Sequence, residues 1–172
     1  MWKLPAALFA WAALLPVSVV AETGKPAISI ACRMHAPARV APGKPVTLQF
    51  ALTNHGKQLV HVLVWNTPFE GFFGNYLQVT GPAGAVAYEG TLVKRGAPDR
   101  EDYRRLAPGA TISKSIKLAG AYDLKAPGKY EVAFTGKLHD VTTGKIPRGF
   151  EERDMLEIIC APVTFTVSAA QK

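Results

Sequence analysis

Apolar and polar residues alternate with a period of two along most of the chain. Val46, Leu48, Phe50 and Leu52 alternate with Thr47, Gln49, Ala51 and Thr53, the pattern of a strand with one face in a core and one in water. Tyr130, Val132 and Phe134 repeat it against Lys129, Glu131, Ala133 and Thr135, and Val163, Phe165 and Val167 repeat it against Thr164 and Thr166. Ile112, Ile116 and Leu118 share one parity that only Lys114 interrupts. The stretch from Ala27 to Met34 is apolar and β-branched, and Leu59 to Trp65 is apolar on both parities, which predicts a strand buried on both faces. Asn54-His55-Gly56-Lys57 predicts a hairpin turn into Leu59–Trp65, and Gly81-Pro82-Ala83-Gly84 a second turn between Tyr76–Thr80 and Ala85–Tyr88. Leu92-Val93 is expected to begin a short edge strand. Pro98 to Leu106 is the sole helix candidate, a turn or two in which Glu101 and Arg105 would pair.

A small motif recurs ahead of the alternating stretches. Ala41-Pro42-Gly43, Ala107-Pro108-Gly109 and Ala126-Pro127-Gly128 each precede one. Proline sets the first corner of a type II turn and glycine supplies the positive φ of the second. The last copy lies in Ala121–Val132, whose Tyr–Leu–Pro-Gly–Tyr–Val cadence is typical of the crossing between sheets in immunoglobulin-like sandwiches. The expected fold is therefore all-β, an immunoglobulin-like antiparallel β-sandwich of seven to nine strands.

The alternation fails most abruptly after Trp65. Asn66-Thr67-Pro68 cannot continue a central ladder, because proline lacks the N–H and restrains its predecessor. Phe69-Glu70-Gly71-Phe72-Phe73-Gly74-Asn75 then forms an aromatic-rich connection before alternation resumes at Tyr76. Loops rarely carry so much apolar surface unless they fold back on the core or meet a partner. The stretch is thus either a plug closing one end of the sandwich or a docking surface.

Composition and charge narrow the setting. The 172 residues, 48% hydrophobic and 19% charged, describe one folded domain rather than a disordered chain. Met1-Trp2-Lys3, an apolar run from Leu4 to Val20 and the small residues at Val19-Val20-Ala21 make 1–21 an expected signal peptide, with 22–172 a single exported domain, periplasmic or secreted. No other apolar stretch is long enough to span a bilayer. The formal net charge is +7, but basic and acidic residues are interleaved, so nucleic acid is not an expected partner. In an oxidising compartment Cys32 and Cys160 are expected to pair and fasten the two ends of the domain. Free catalytic thiols are the alternative.

Three segments carry a family resemblance. WNTPFEG at Trp65–Gly71, VAYEGTLVKRGAPDREDYRRLAPG at Val86–Gly109 and AYDLKAPGKYEV at Ala121–Val132 resemble, in order and spacing, the propeptide of the deuterolysin-type zinc endopeptidases, the aspzincins. The resemblance runs from about Pro42 to Val141. It implies an immunoglobulin-like pro-domain that keeps a protease latent and assists its folding. The chemistry of the protease itself has no counterpart in the chain. Such an enzyme needs H-E-x-x-H on a helix, yet none of His35, His55, His61 and His139 is followed by Glu and no pair has that spacing.

Two classes of function follow. In the first, the protein is a non-catalytic binding module that inhibits or chaperones an exported zinc endopeptidase without a cofactor of its own. Its expected contact residues are Trp65, Asn66, Thr67, Pro68, Phe69, Glu70 and Gly71 in one loop and Lys94, Arg95, Gly96, Ala97 and Pro98 in a second, basic one. The ordinary reading of Lys94-Arg95 is a solvated surface pair. The polar segment His139–Asp154 is a third surface, either a segment that enters a protease cleft or merely a long connection. In the second class the chain binds metal or hydrolyses a substrate. Cys32, Met34 and His35 are soft ligands close in sequence, but alternation puts His35 on the opposite face. Glu70, Glu89, Asp99 and Asp102 offer carboxylates without a motif that sets a catalytic pair, and His61 stands alone on its strand. A structural or adhesive envelope domain is compatible with the fold and names no residues.

Overall fold

A computed structural model describes residues 28–147 and 153–170. The expected signal peptide and part of the His139–Asp154 segment lie outside them. The described residues form eleven strands: β1 Ile30–His35, β2 Arg39–Val40, β3 Thr47–Asn54, β4 Val60–Leu63, β5 Leu77–Gly81, β6 Gly84–Val86, β7 Tyr103–Leu106, β8 Thr111–Lys117, β9 Gly128–Phe134, β10 Val141–Thr142 and β11 Val163–Val167. Eight of them have four or more residues, in agreement with the count expected from alternation. β1-β3-β8 make one sheet, β2-β11-β9-β5-β6 a second, and β10-β4-β7 a small third. All pairings are antiparallel except that of β2 with β11. The first two sheets face each other across the core, where Phe50 of β3 meets Phe134 of β9 with ring centroids 5.3 Å apart. The architecture is an immunoglobulin-like β-sandwich.

The parity read from the sequence holds strand by strand. Leu48, Phe50 and Leu52 on β3, Tyr130, Val132 and Phe134 on β9, and Phe165 and Val167 on β11 are buried. Lys114 shares the core-facing parity of Ile112 and Ile116 on β8 and stands opposite Phe50, yet it is exposed. It can reach water because β8 is the outer strand of its sheet. The three Ala-Pro-Gly turns carry φ of 71°, 71° and 141° at Gly43, Gly109 and Gly128, the left-handed conformation that glycine adopts at no steric cost. After the last of them, the Tyr130 hydroxyl donates to the Ala126 carbonyl at 2.7 Å, the tyrosine corner that immunoglobulin-like domains place at this crossing.

Three local expectations are corrected. Asn54–Lys57 is not a hairpin, because β3 and β4 belong to different sheets. Asn54 is buried, and its side chain turns a corner instead: Nδ2 donates to the carbonyls of Gln58 at 2.7 Å and Leu106 at 3.0 Å, while Oδ1 accepts the Gly56 N–H. The β3–β8 ribbon thus bends and continues as the β4–β7 ribbon. Pro98–Leu106 is helical only as a single 3-10 turn at Arg100–Asp102, which Asp99 and Asp102 close by reciprocal capping. Tyr103 and Leu106 then point into the core from strand β7, and no Glu101–Arg105 ion pair forms; burial of those two apolar side chains outweighs the local helix signal. Leu92-Val93 lies in no strand.

Cys32 and Cys160 are bonded, with Cα atoms 4.9 Å apart although the residues are 128 positions apart in sequence. The bridge joins β1 to the segment just ahead of β11. Closing a loop of that length removes about 4–5 kcal/mol of denatured-state freedom on the chain-entropy account. Thiol titration in denaturant is expected to find neither cysteine free in the unreduced protein. Tyr130→Phe is expected to lower the unfolding free energy by about 1 kcal/mol in a urea titration, with the slope unchanged.

Candidate functional site: the clamped loop at one end of the sandwich

β4 runs out of the corner at Asn54 and delivers Val64 and Trp65 to one end of the sandwich. Asn66 then turns left-handed, with φ 53°, a conformation asparagine tolerates better than other non-glycine residues. The loop after it is held by its own side chains. The Thr67 hydroxyl donates to the Val64 carbonyl at 2.6 Å and accepts the Phe69 N–H at 3.2 Å. Glu70 N–H reaches the Thr67 carbonyl and Gly71 N–H the Pro68 carbonyl, both at 3.3 Å. The Tyr76 hydroxyl ties the far side by donating to the Gly71 carbonyl at 2.8 Å. A Cβ on Gly74 would run into the Asn66 side-chain oxygen, so a larger residue there would have to displace the Asn66 amide.

Glu70 is the centre of the arrangement. One carboxylate oxygen accepts the Asn66 N–H at 2.6 Å and the other accepts the Arg95 guanidinium at 2.6 Å. The Arg95 guanidinium also lies over the Trp65 ring, 4.8 Å from its centroid, a cation–π contact. The two loops singled out in the sequence, 65–71 and 94–98, are therefore one surface joined through Arg95. Arg95 is not a solvated surface cation: its side chain is 22% exposed and that of Glu70 8%. Lys94, Gly96 and Ala97 are exposed, and Pro98 is buried. Burial raises the Glu70 pKa above the usual carboxylate value, against the Asn66 N–H and Arg95, which pull it down; Asp102 adds to the rise.

The phenylalanines divide between core and surface. Phe69 packs edge-on against Phe50 at 5.4 Å, and Phe72 stacks on Tyr76 at 6.1 Å and meets Tyr122 edge-on at 6.0 Å. Phe73 is 47% exposed. Two phenylalanines thus close the end of the sandwich while Trp65, Arg95 and Phe73 remain at its surface. Sequence reasoning missed the contribution of Tyr76, Tyr88 and Tyr122, which form the aromatic floor beneath the loop. The return of aromatics at Tyr76 and Tyr88 was the available signal.

Two histidines flank the loop. The Asn66 amide nitrogen lies 3.1 Å from His139 Nε2, and in this arrangement the amide donates and Nε2 accepts. Beside them a cleft of about 540 Å³ opens between Asn66, Asn75, Lys137 and Ile159. Burial, then Lys137 and Arg95, hold the His139 pKa below its ordinary value. On β4, His61 sits in register with Arg105. Burial, then Arg105 and Arg100, lower its pKa as well. His61 borders a second cavity, of about 590 Å³, with Arg100 and Lys145. Among the described residues no three His, Cys, Asp or Glu side chains gather as a metal site, and no helix is long and apolar enough to cross a membrane.

No protein-family model matches the chain. An extracellular protease of Aeromonas hydrophila is 35% identical over 81 residues, which cover 47% of this chain and 23% of that protein. This chain thus spans about a quarter of the relative's length. Among solved structures, the CARDB domain of the PF1109 protein from Pyrococcus furiosus, described in complex with di-metal ions, aligns over 86% of this chain and all of its own at 12% identity, with a TM-score of 0.38. The alkylpurine DNA glycosylase AlkC of Pseudomonas fluorescens, bound to DNA containing an abasic site analog, aligns over 83% of this chain and 30% of its own at 15% identity, with a TM-score of 0.32. Neither structural likeness is close enough to carry an inference. The protein is an immunoglobulin-like β-domain with partial sequence similarity to an extracellular protease.

Arg95→Ala would strand a largely buried carboxylate and uncover Trp65; a loss of about 2 kcal/mol is expected in chemical denaturation, the lower edge of the range for breaking a buried pair. Phe69→Ala is expected to cost about 2 kcal/mol as well, part of the fully buried phenylalanine value. The histidines set a pH dependence. Their folded pKa values lie below the unfolded 6.5, so their contribution is complete above pH 6.5 and is lost as pH falls through the folded values. Glu70 works in the opposite sense, since its folded pKa is raised and its stabilising contribution fades as pH rises from 4.5. His139→Gln is expected to flatten the fall in melting temperature between pH 6.5 and about pH 5.

Proposed function

We propose that this protein is an exported, non-catalytic binding module that docks on a zinc endopeptidase of the deuterolysin type and holds it inactive. The signal-like segment 1–21 directs it out of the cytoplasm, and the chain from near Glu22 is the active form. Loops 65–71 and 94–98 make the contact. The observation that carries this reading is the Glu70–Arg95–Trp65 clamp. An inhibitor gains from loops that surrender little freedom on binding, and here two loops 25 residues apart are fixed to each other by a mostly buried ion pair. The similarity to part of an extracellular protease supports a partner of that kind, as do the three segments resembling an aspzincin pro-domain.

The test is direct. The oxidised chain from Glu22 to Lys172, added in stoichiometric excess to a deuterolysin-type endopeptidase freed of its own pro-segment, is expected to suppress peptide cleavage. Full protease activity under those conditions overturns the proposal.

A further inference from the structure

Between Tyr88 and the Glu70–Arg95 clamp runs a short segment that the fold leaves bare. From Thr91 to Lys94 every residue is exposed, and Leu92 and Val93 are apolar yet 74% and 39% exposed. The other exposed large apolar residues, Phe73, Met155 and Ile159, are not sequence neighbours of one another. Single exposed apolar side chains are ordinary, whereas two in succession on a polar rim mark a surface that meets something. Their backbone is equally unengaged: among the described residues no hydrogen bond uses the N–H or C=O of Leu92, Val93 or Lys94.

The ends of the segment are fixed. Upstream, the Tyr88 ring packs on Phe72 and Tyr122, its hydroxyl donates to the Thr91 carbonyl at 3.0 Å, and Glu89 N–H donates to the Ala121 carbonyl at 2.8 Å. Downstream, Arg95 is held by Glu70 and by the Trp65 ring. No strand, turn or 3-10 helix interrupts the path from Thr91 to Pro98. A bare backbone with an apolar side chain on it, held at both ends, has the features a peptidase cleft recognises in its substrates. Such clefts pair with the main chain of an extended segment and take one side chain into a pocket.

We infer that Thr91–Lys94 is the segment that enters the partner's substrate cleft, with the Leu92 side chain as the apolar anchor in its pocket. This rests on the function proposed above and goes beyond it, because it moves the centre of contact from loop 65–71 to the segment that loop supports. Glu70 and Trp65 then serve first to hold Arg95, the downstream post, and loop 65–71 flanks the contact.

Inhibition constants against the same endopeptidase test the assignment. Leu92→Asp is expected to weaken inhibition by about 100-fold, the scale of a lost central anchor, with the melting temperature unchanged because the side chain is already in water. Leu92→Met, which keeps an apolar group of similar volume, is expected to retain potency. Arg95→Ala releases one post and is expected to weaken inhibition by about tenfold. If the wild-type chain inhibits and Leu92→Asp inhibits equally well, this assignment is overturned and the inhibitory function stands. If the wild-type chain does not inhibit at all, both fall.

Discussion

The ribbon formed by β3 and β8 leaves its sheet at Asn54, and it can do so because every polar atom of that buried side chain finds a partner. Two carbonyls, from Gln58 and Leu106, take the amide protons, and the Gly56 N–H takes the oxygen. The backbone closes the same corner from the other strand, with Asn54 N–H on the Ala110 carbonyl and Gly109 N–H on the Asn54 carbonyl. An unsatisfied amide in that position would cost about 1–3 kcal/mol. Because the corner is satisfied, β4 can run at an angle to β3 and carry Trp65 to the end of the sandwich. Everything at the candidate site inherits its position from that bend.

The site itself is assembled by long-range contacts laid over that frame. Thr67, Tyr76 and Gly71 fix the loop's path, the aromatic floor of Phe72, Tyr76, Tyr88 and Tyr122 supports it from below, and Glu70 fastens it to the next connection. A second tether works on the opposite flank. Buried Asp140 accepts the Tyr103 hydroxyl at 2.7 Å and the Asp154 N–H at 3.0 Å, so the segment after β9 is tied to β7 and thereby to β4. The end of the sandwich is held by specific side-chain bonds although most of it is irregular in backbone. Polar networks that are fully partnered give that kind of definition.

The strands were legible because one face of each is buried, and burial writes its period into the sequence: β3, β9 and β11 follow their alternation without exception. The turn chemistry of Pro-Gly was equally plain, since only glycine accepts those φ values cheaply. The failures have local causes. Asp99 and Asp102 give a true capping signal, but it governs one turn only, after which Tyr103 and Leu106 bury as a strand. Asn54 looked like a turn residue because asparagine favours turns; its role as a buried corner depends on Leu106, 52 positions away. The two-residue strands β2 and β10 are too short to show a period. Loop 65–71 stands out in the sequence by its proline, glycine and aromatic content, and 94–98 by its basic pair. Their union through Arg95 could not be read, because no local pattern encodes a partner 25 residues distant.

Lys114 has a consequence for the molecule as a whole. β8 is an outer strand seven residues long, and its far side offers unpaired backbone groups to any neighbouring chain. The ammonium on its core-facing parity escapes to water only because no further strand covers it. A copy that stacked alongside β8 would have to enclose that charge between sheets, at a cost of several kcal/mol. One lysine in an otherwise apolar row thus works against growth of the sheet into filaments.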